Sequence, residues 1–148
     1  MSQFVTSSLA SRLYDFIDHN KDVQMRDISY TNDPWIIARN PNVEAYEDEL
    51  LEYATEELAN IEGTRFIGQA PKRNGLISFV IDGIHPYDLG TIIDKIGVAV
   101  RTGHHCAEPV MTFFGIPGTV RASFAMYNTK EEIDIFVKAV ERAANMLK

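Results

Sequence analysis

The residues best suited to chemistry in this chain run Arg101-Thr102-Gly103-His104-His105-Cys106-Ala107-Glu108-Pro109. Cys106 is the single cysteine of the 148-residue chain, so it has no internal disulfide partner, which fits a reducing cytoplasm. A thiol flanked by His104, His105 and Arg101 sits among cations that favour thiolate, and the start of a following helix would add positive potential. Three readings of this stretch compete. The plain one is a small packed thiol beside two surface histidines, but a polar loop with Gly, His and Arg is an odd setting for a structural cysteine. A metal site is the second. Adjacent residues of an extended loop point different ways, and His19 and His85 are isolated in the sequence, so the four ligands of a structural zinc site are not assembled. The third is a nucleophilic cysteine. His and Cys together suit acyl transfer, yet no nearby Asn or Asp completes an orienting group.

The elements that must position this loop can be traced along the chain. Leu9, Leu13, Phe16 and Ile17 recur at helical spacing and predict a short helix ending near His19-Asn20. A polar stretch follows, then Trp35-Ile36-Ile37-Ala38, a short apolar run suited to a strand or a docking arm. Residues 44–60 predict a helix with Ala45, Tyr46, Leu50, Leu51, Tyr53, Ala54, Leu58 and Ala59 as apolar positions and Gly63 as its stop. Arg65-Phe66-Ile67 predicts a brief edge strand, and Leu76-Ile77-Ser78-Phe79-Val80-Ile81 a central one. His85-Pro86 opens a helix through Ile96 that Gly97 ends, with Leu89, Ile92, Ile93 and Ile96 on one face. Val98-Ala99-Val100 predicts a short buried strand, so that residues 101–106 form a polar loop directly after it.

Beyond the loop, residues 108–114 predict a short helix and residues 119–125 a strand. Thr129, with Glu132 three residues on, has capping-box spacing for a last helix whose stripe is Ile133, Phe136, Val137, Val140, Ala144 and Leu147. The order helix, strand, strand, helix, strand, helix, strand, helix implies an α+β fold. We expect a small two-layer sandwich, with a mostly antiparallel or mixed sheet of about four strands and helices on one face.

Net charge of −7 and a pI near 5.0 argue against a nucleic-acid partner, because an acidic surface repels phosphate backbones. The longest apolar runs, such as Leu76 to Ile81, are too short to span a bilayer, and no basic region precedes an apolar block at the N-terminus, so no membrane partner and no secretory signal are expected.

Arg101 to Ala107 resembles the persulfide-forming cysteine motif of Suf-type (group II) cysteine desulfurases, members of the class V aminotransferase family of pyridoxal-phosphate enzymes. The stretch Gly118-Thr119-Val120-Arg121-Ala122-Ser123-Phe124-Ala125-Met126-Tyr127-Asn128-Thr129 and the helix opening Glu131-Glu132-Ile133-Asp134 resemble the same family. The resemblance runs from about Val43 to Lys148. It implies the C-terminal small domain of a fold-type I pyridoxal-phosphate enzyme over 44–148, with 1–43 as an N-terminal extension. It also implies L-cysteine as substrate, iron–sulfur cluster assembly as the setting, a cytoplasmic location, and a Suf-type sulfur acceptor or scaffold protein as partner. By the same resemblance Cys106 is the nucleophile that takes sulfur and holds it as a persulfide. Arg121 is the arginine that pairs with the carboxylate of the substrate cysteine, a task for which a guanidinium fork is suited. His104 and His105 are candidates for tuning the thiol or relaying a proton.

The family's cofactor lysine lies in a Ser-His-Lys context within a larger preceding domain. Lys21, Lys72, Lys95, Lys130, Lys138 and Lys148 are the lysines here, and none has that context. Carbon–sulfur cleavage needs the cofactor as electron sink. The expectation is therefore a chain that binds no pyridoxal phosphate by itself and does not desulfurate cysteine alone. A non-catalytic sulfur-relay or docking module is the alternative, and a folded but idle remnant a third reading, in which an uncovered apolar interface drives self-association.

Overall fold

The computed structural model describes residues 41–70, 73 and 75–148. The helix expected over residues 9–17 and the Trp35–Ala38 run lie outside these residues. The described elements are α1 (Pro41–Ala59), β1 (Thr64–Phe66), β2 (Leu76–Ile81), α2 (Pro86–Ile96), β3 (Arg101–Gly103), α3 (Glu108–Phe114), β4 (Thr119–Ser123) and α4 (Lys130–Leu147). The four strands form one antiparallel sheet in the order β1-β2-β4-β3. The fold is the expected α+β one, with a sheet that is antiparallel throughout.

Alternation along the strands decides which face carries the core, because successive side chains of a strand point to opposite sides. Ile77, Phe79 and Ile81 of β2 and Val120 and Ala122 of β4 share one face and pack against Leu50, Ala54 and Leu58 of α1, Leu89 and Ile93 of α2, and Ile133, Phe136 and Val140 of α4. Phe136 meets both Phe79 and Phe124 edge-on, with ring centroids 6.2 and 6.1 Å apart. Tyr46 and Tyr53 lie half-buried where α1 meets the C-terminal segment. The Tyr46 hydroxyl donates to the Asn128 carbonyl at 2.8 Å and the Tyr53 hydroxyl to Asp134 at 2.7 Å. That last bond, which only the neutral phenol can donate, raises the Tyr53 pKa to about 12.

Helix ends follow their local chemistry. Thr129 accepts from the Glu132 amide while Glu132 accepts from the Thr129 amide, closing the capping box of α4. Gly97 ends α2 at φ 97°, and the amide of Val98 bonds back to Ile93, which satisfies the last free carbonyls.

The structure corrects four local expectations. The helix expected over 44–60 begins at Pro41, and Gly63 does not stop it, since the helix ends at Ala59 and Gly63 closes the following turn onto β1. The strand expected at Val98-Ala99-Val100 is absent, because Val98 is committed to the α2 cap. Its place is taken by Arg101–Gly103, the first half of the expected polar loop, which pairs with β4. Ile96 turns outward rather than joining the buried face of α2.

Candidate functional site

The site is built on the edge strand β3, the turn that follows it and the far face of β4. Arg101 pairs with Arg121, Thr102 with Val120 and Gly103 with Thr119. Cross-strand partners share a face, so Thr119 and Arg121 of β4 stand with Arg101 on the side away from the helix core. Ser78 of β2 is the other neighbour of Arg121 and lies on that face too. The β3–β4 pair closes tightly where the loop leaves. Gly118, at φ 147°, lies so near Gly103 that a Cβ on it would be 3.0 Å from the Gly103 carbonyl.

Past Gly103 the chain reverses over His104–Ala107, and the Ala107 amide bonds to the His104 carbonyl at 2.9 Å. The two central residues, His105 at φ 54° and Cys106 at φ 61°, are both left-handed. Left-handed φ at both central positions is the signature of a type I′ turn, which ordinarily takes Asn-Gly. Each left-handed residue with a Cβ costs about 1–2 kcal/mol. Strain of this kind persists only where the surroundings enforce it. Here the turn leaves Cys106 exposed at its tip.

Two anchors hold the turn. On the C-terminal side α3 begins at once, with Met111 as its buried residue. The positive end of α3 is already met by Glu108 in its first turn. On the sheet side the His105 ring reaches β4, where Nε2 is 2.9 Å from Thr119 Oγ1 and 3.3 Å from the Thr119 carbonyl. His105 Nδ1 is buried without a hydrogen-bond partner among the described residues. Burial holds the His105 pKa below its ordinary value. The Arg121, Arg101 and His104 charges act in the same direction, and the bond to the Thr119 backbone partly offsets them.

The His105 ring therefore reaches the strand that carries Arg121, and Cys106 follows His105 at the exposed tip of the turn. His104 lies exposed, and among the described residues its side chain makes no hydrogen bond. Neither nitrogen of His105 is hydrogen-bonded to the thiol, because Nε2 is engaged with Thr119 and Nδ1 has no partner. Thr119 is the site residue to which the sequence assigned no role. Two-residue periodicity was the available signal, since Thr119 precedes Arg121 by two on a predicted strand. Among the described residues no three His, Cys, Asp or Glu side chains gather into a metal site, and no helix is long and apolar enough to cross a membrane.

The described residues do not make a place for pyridoxal phosphate. Lys95 lies in the last turn of α2, while Lys130, Lys138 and Lys148 lie on α4 or at its end, all in the helical layer on the other side of the sheet. Lys130 is committed to Glu49 and to the Tyr53 ring, and Lys148 to Glu62.

The class-V aminotransferase family model matches residues 36–136. A model of the acetyl-CoA hydrolase/transferase C-terminal domain matches residues 10–50, most of which lie outside the described residues. A probable cysteine desulfurase of Mycolicibacterium paratuberculosis is 51% identical over 102 residues, covering 69% of this chain and 15% of the relative. One from Xylella fastidiosa is 47% identical over 105 residues, covering 71% of this chain and 25% of the relative. The chain thus spans a quarter or less of these relatives. Among solved structures, the cysteine desulfurase CsdA of Escherichia coli in its S-sulfonic acid form superposes with a TM-score of 0.67 at 36% identity, covering 76% of this chain and 28% of that one. The chain belongs to the class-V aminotransferase family, and the relatives it matches there are cysteine desulfurases.

Proposed function

We propose that this chain is the sulfur-accepting part of a Suf-type cysteine desulfurase, with residues 44–148 as the C-terminal domain and 1–43 as an extension. The observation that carries the reading is the exposed Cys106, raised on a left-handed turn beside the face that bears Arg121, in a chain matched to cysteine desulfurases. In this reading Arg121 binds the carboxylate of L-cysteine as a charge-assisted pair. Cys106 Sγ bonds to the substrate sulfur as the carbon–sulfur bond breaks. The electron pair of the broken bond stays with the carbon fragment, which takes up a proton to give alanine, and Cys106 is left as a persulfide. Pyridoxal phosphate, bound by the remainder of the full-length enzyme, supplies the electron sink. The sulfur then passes to an acceptor or scaffold protein for iron–sulfur cluster assembly in the cytoplasm.

The test replaces the matching C-terminal quarter of the Xylella fastidiosa relative with residues 44–148 and measures sulfide and Cys106 persulfide from L-cysteine. The hybrid is expected to be active and Cys106→Ser to abolish persulfide. Persulfide that survives Cys106→Ser sinks the proposal. Arg121→Ala is expected to raise KM for cysteine by about 10- to 100-fold, the loss of one charged hydrogen-bonding pair. The chain alone, mixed with pyridoxal phosphate and cysteine, is expected to show no new absorbance band and no sulfide.

A second reading, a sulfur-relay or docking module, is favoured by the placement of Lys95, Lys130, Lys138 and Lys148 in the helical layer, on the side of the sheet opposite Arg121. It predicts that the chain alone takes sulfur onto Cys106 from a small persulfide donor and passes it to an acceptor thiol, while the hybrid enzyme stays inactive.

A further inference from the structure

We infer that His105 is a positioning residue, whose ring is a strut between the cysteine turn and Thr119 of β4 that fixes where the Cys106 thiol is presented. The inference rests on the reading of Cys106 as the sulfur acceptor and assigns the part of the loop that aims it.

The backbone supplies the first argument. Two successive non-glycine residues in the left-handed region do not hold that shape by themselves, and the Ala107-to-His104 bond that closes the turn spans both of them. Something outside the turn must enforce it. Among the described residues, the only side-chain hydrogen bond from residues 104–107 to the rest of the molecule is that of His105 to Thr119.

The anchor is well chosen. Thr119 is 1% exposed and sits on β4, a strand paired on both sides. A carbonyl only accepts, so the contact with the Thr119 carbonyl requires Nε2 to carry the proton. The ring is then the neutral Nε2–H form, donating to both oxygens of Thr119, with Nδ1 a buried acceptor that has no partner among the described residues. A ring in this state makes no hydrogen bond to the thiol. It braces the turn and does not shuttle the proton of Cys106. His104, adjacent in sequence and exposed, makes no equivalent bond among the described residues.

The test uses the purified chain and three variants: Thr119→Val, which removes the hydroxyl; Thr119→Ser, which keeps it; and His105→Phe, which keeps a ring without nitrogens. Amide exchange at Ala107 reports the turn bond, and nitrogen-15 spectra of the His105 ring report its protonated nitrogen. Exchange at Ala107 is expected to rise at least about tenfold in Thr119→Val and His105→Phe and to return to within about threefold of the original in Thr119→Ser, with the amides of β2 unchanged in all three. The unsubstituted chain is expected to show the Nε2–H ring, and Thr119→Val to keep it, since the backbone carbonyl remains. Unchanged exchange at Ala107 in both Thr119→Val and His105→Phe overturns the strut. So does an Nδ1–H ring in the unsubstituted chain, or an equal rise across β2, which would make the role merely structural. If Thr119→Val fails to fold, His105→Phe decides, since its substitution lies in the loop. None of these readouts involves sulfur. A hybrid enzyme that keeps its persulfide in Cys106→Ser therefore defeats the functional reading and leaves the strut standing, and the reverse result is equally separable.

Discussion

The two faces of β4 do different work within five residues. Val120 and Ala122 point into the helix-covered core. Thr119 and Arg121 point to the other side, where Thr119 braces the cysteine turn and Arg121 lies opposite Arg101. On the first face the packed core neighbours are apolar, with Thr102 of β3 opposite Val120, and the contacts favour folding. On the second, two guanidinium groups stand as direct cross-strand partners, an arrangement that disfavours folding. No carboxylate is paired with either arginine among the described residues, although the chain carries a net charge of −7. One strand thus separates the face that holds the domain together from the face on which the proposed function rests.

Substitutions that respect or violate this division sharpen the contrast. The largest expected effect is Phe79→Ala on the core face, a loss of about 3–5 kcal/mol in urea unfolding, because a fully buried ring leaves a cavity lined by Phe136 and its neighbours. A loss below about 1 kcal/mol would show that the core is not centred there. Thr129→Ala, which opens the capping box of α4, is expected to cost about 1 kcal/mol by the same measurement. Arg101→Ala and Arg121→Ala are expected to leave stability within about 0.5 kcal/mol, with any change a gain, since each relieves a like-charge pair. A clear loss in either would mean that the arginines hold the fold, and the division between faces would fail.

The smallest expected effect is in pH. His105 has a folded pKa below its ordinary 6.5, so the unfolded chain binds the proton more readily. Its contribution to stability is therefore complete above about pH 6.5 and is lost as pH falls through the depressed folded value. Glu47, whose pKa burial raises, acts in the opposite sense at lower pH, so the comparison must be between the chain and His105→Phe. The melting temperature of the original chain is expected to drop more steeply than that of the variant on acidification from pH 7.5 toward 5.5. Parallel curves would show that the ring gains nothing from staying neutral.

Much of this architecture was legible in the residues. Apolar periodicity located α2 and α4, Thr129 and Glu132 marked a cap, and Leu76–Ile81 read as a central strand because nothing else fits a six-residue β-branched and aromatic run. The strand errors share one cause, that pairing partners are remote in sequence. Val98-Ala99-Val100 has better strand composition than Arg101-Thr102-Gly103, yet the strand forms where β4 offers hydrogen bonds and where the α2 cap has already released the chain. The cysteine motif was legible as a motif, and Arg121 with it. What could not be read locally was the His105–Thr119 bond, which depends on register across two strands. Nor could composition reveal that His105 and Cys106 would occupy a conformation usually left to Asn and Gly.

The strand order has a consequence for how the domain comes into being. β4 is the last of the four described strands to be synthesised, yet it lies between β2 and β3, pairing Leu76 with Ser123 on one side and Arg101 with Arg121 on the other. While the chain is emerging from the ribosome, the sheet edges that await β4 have no partner, and β3 has none at all. Such long-range closure is slow compared with local helix formation and leaves edges exposed to other chains. The cysteine turn, braced against β4, takes its shape only when that gap is filled, so the thiol is set in place at the close of folding.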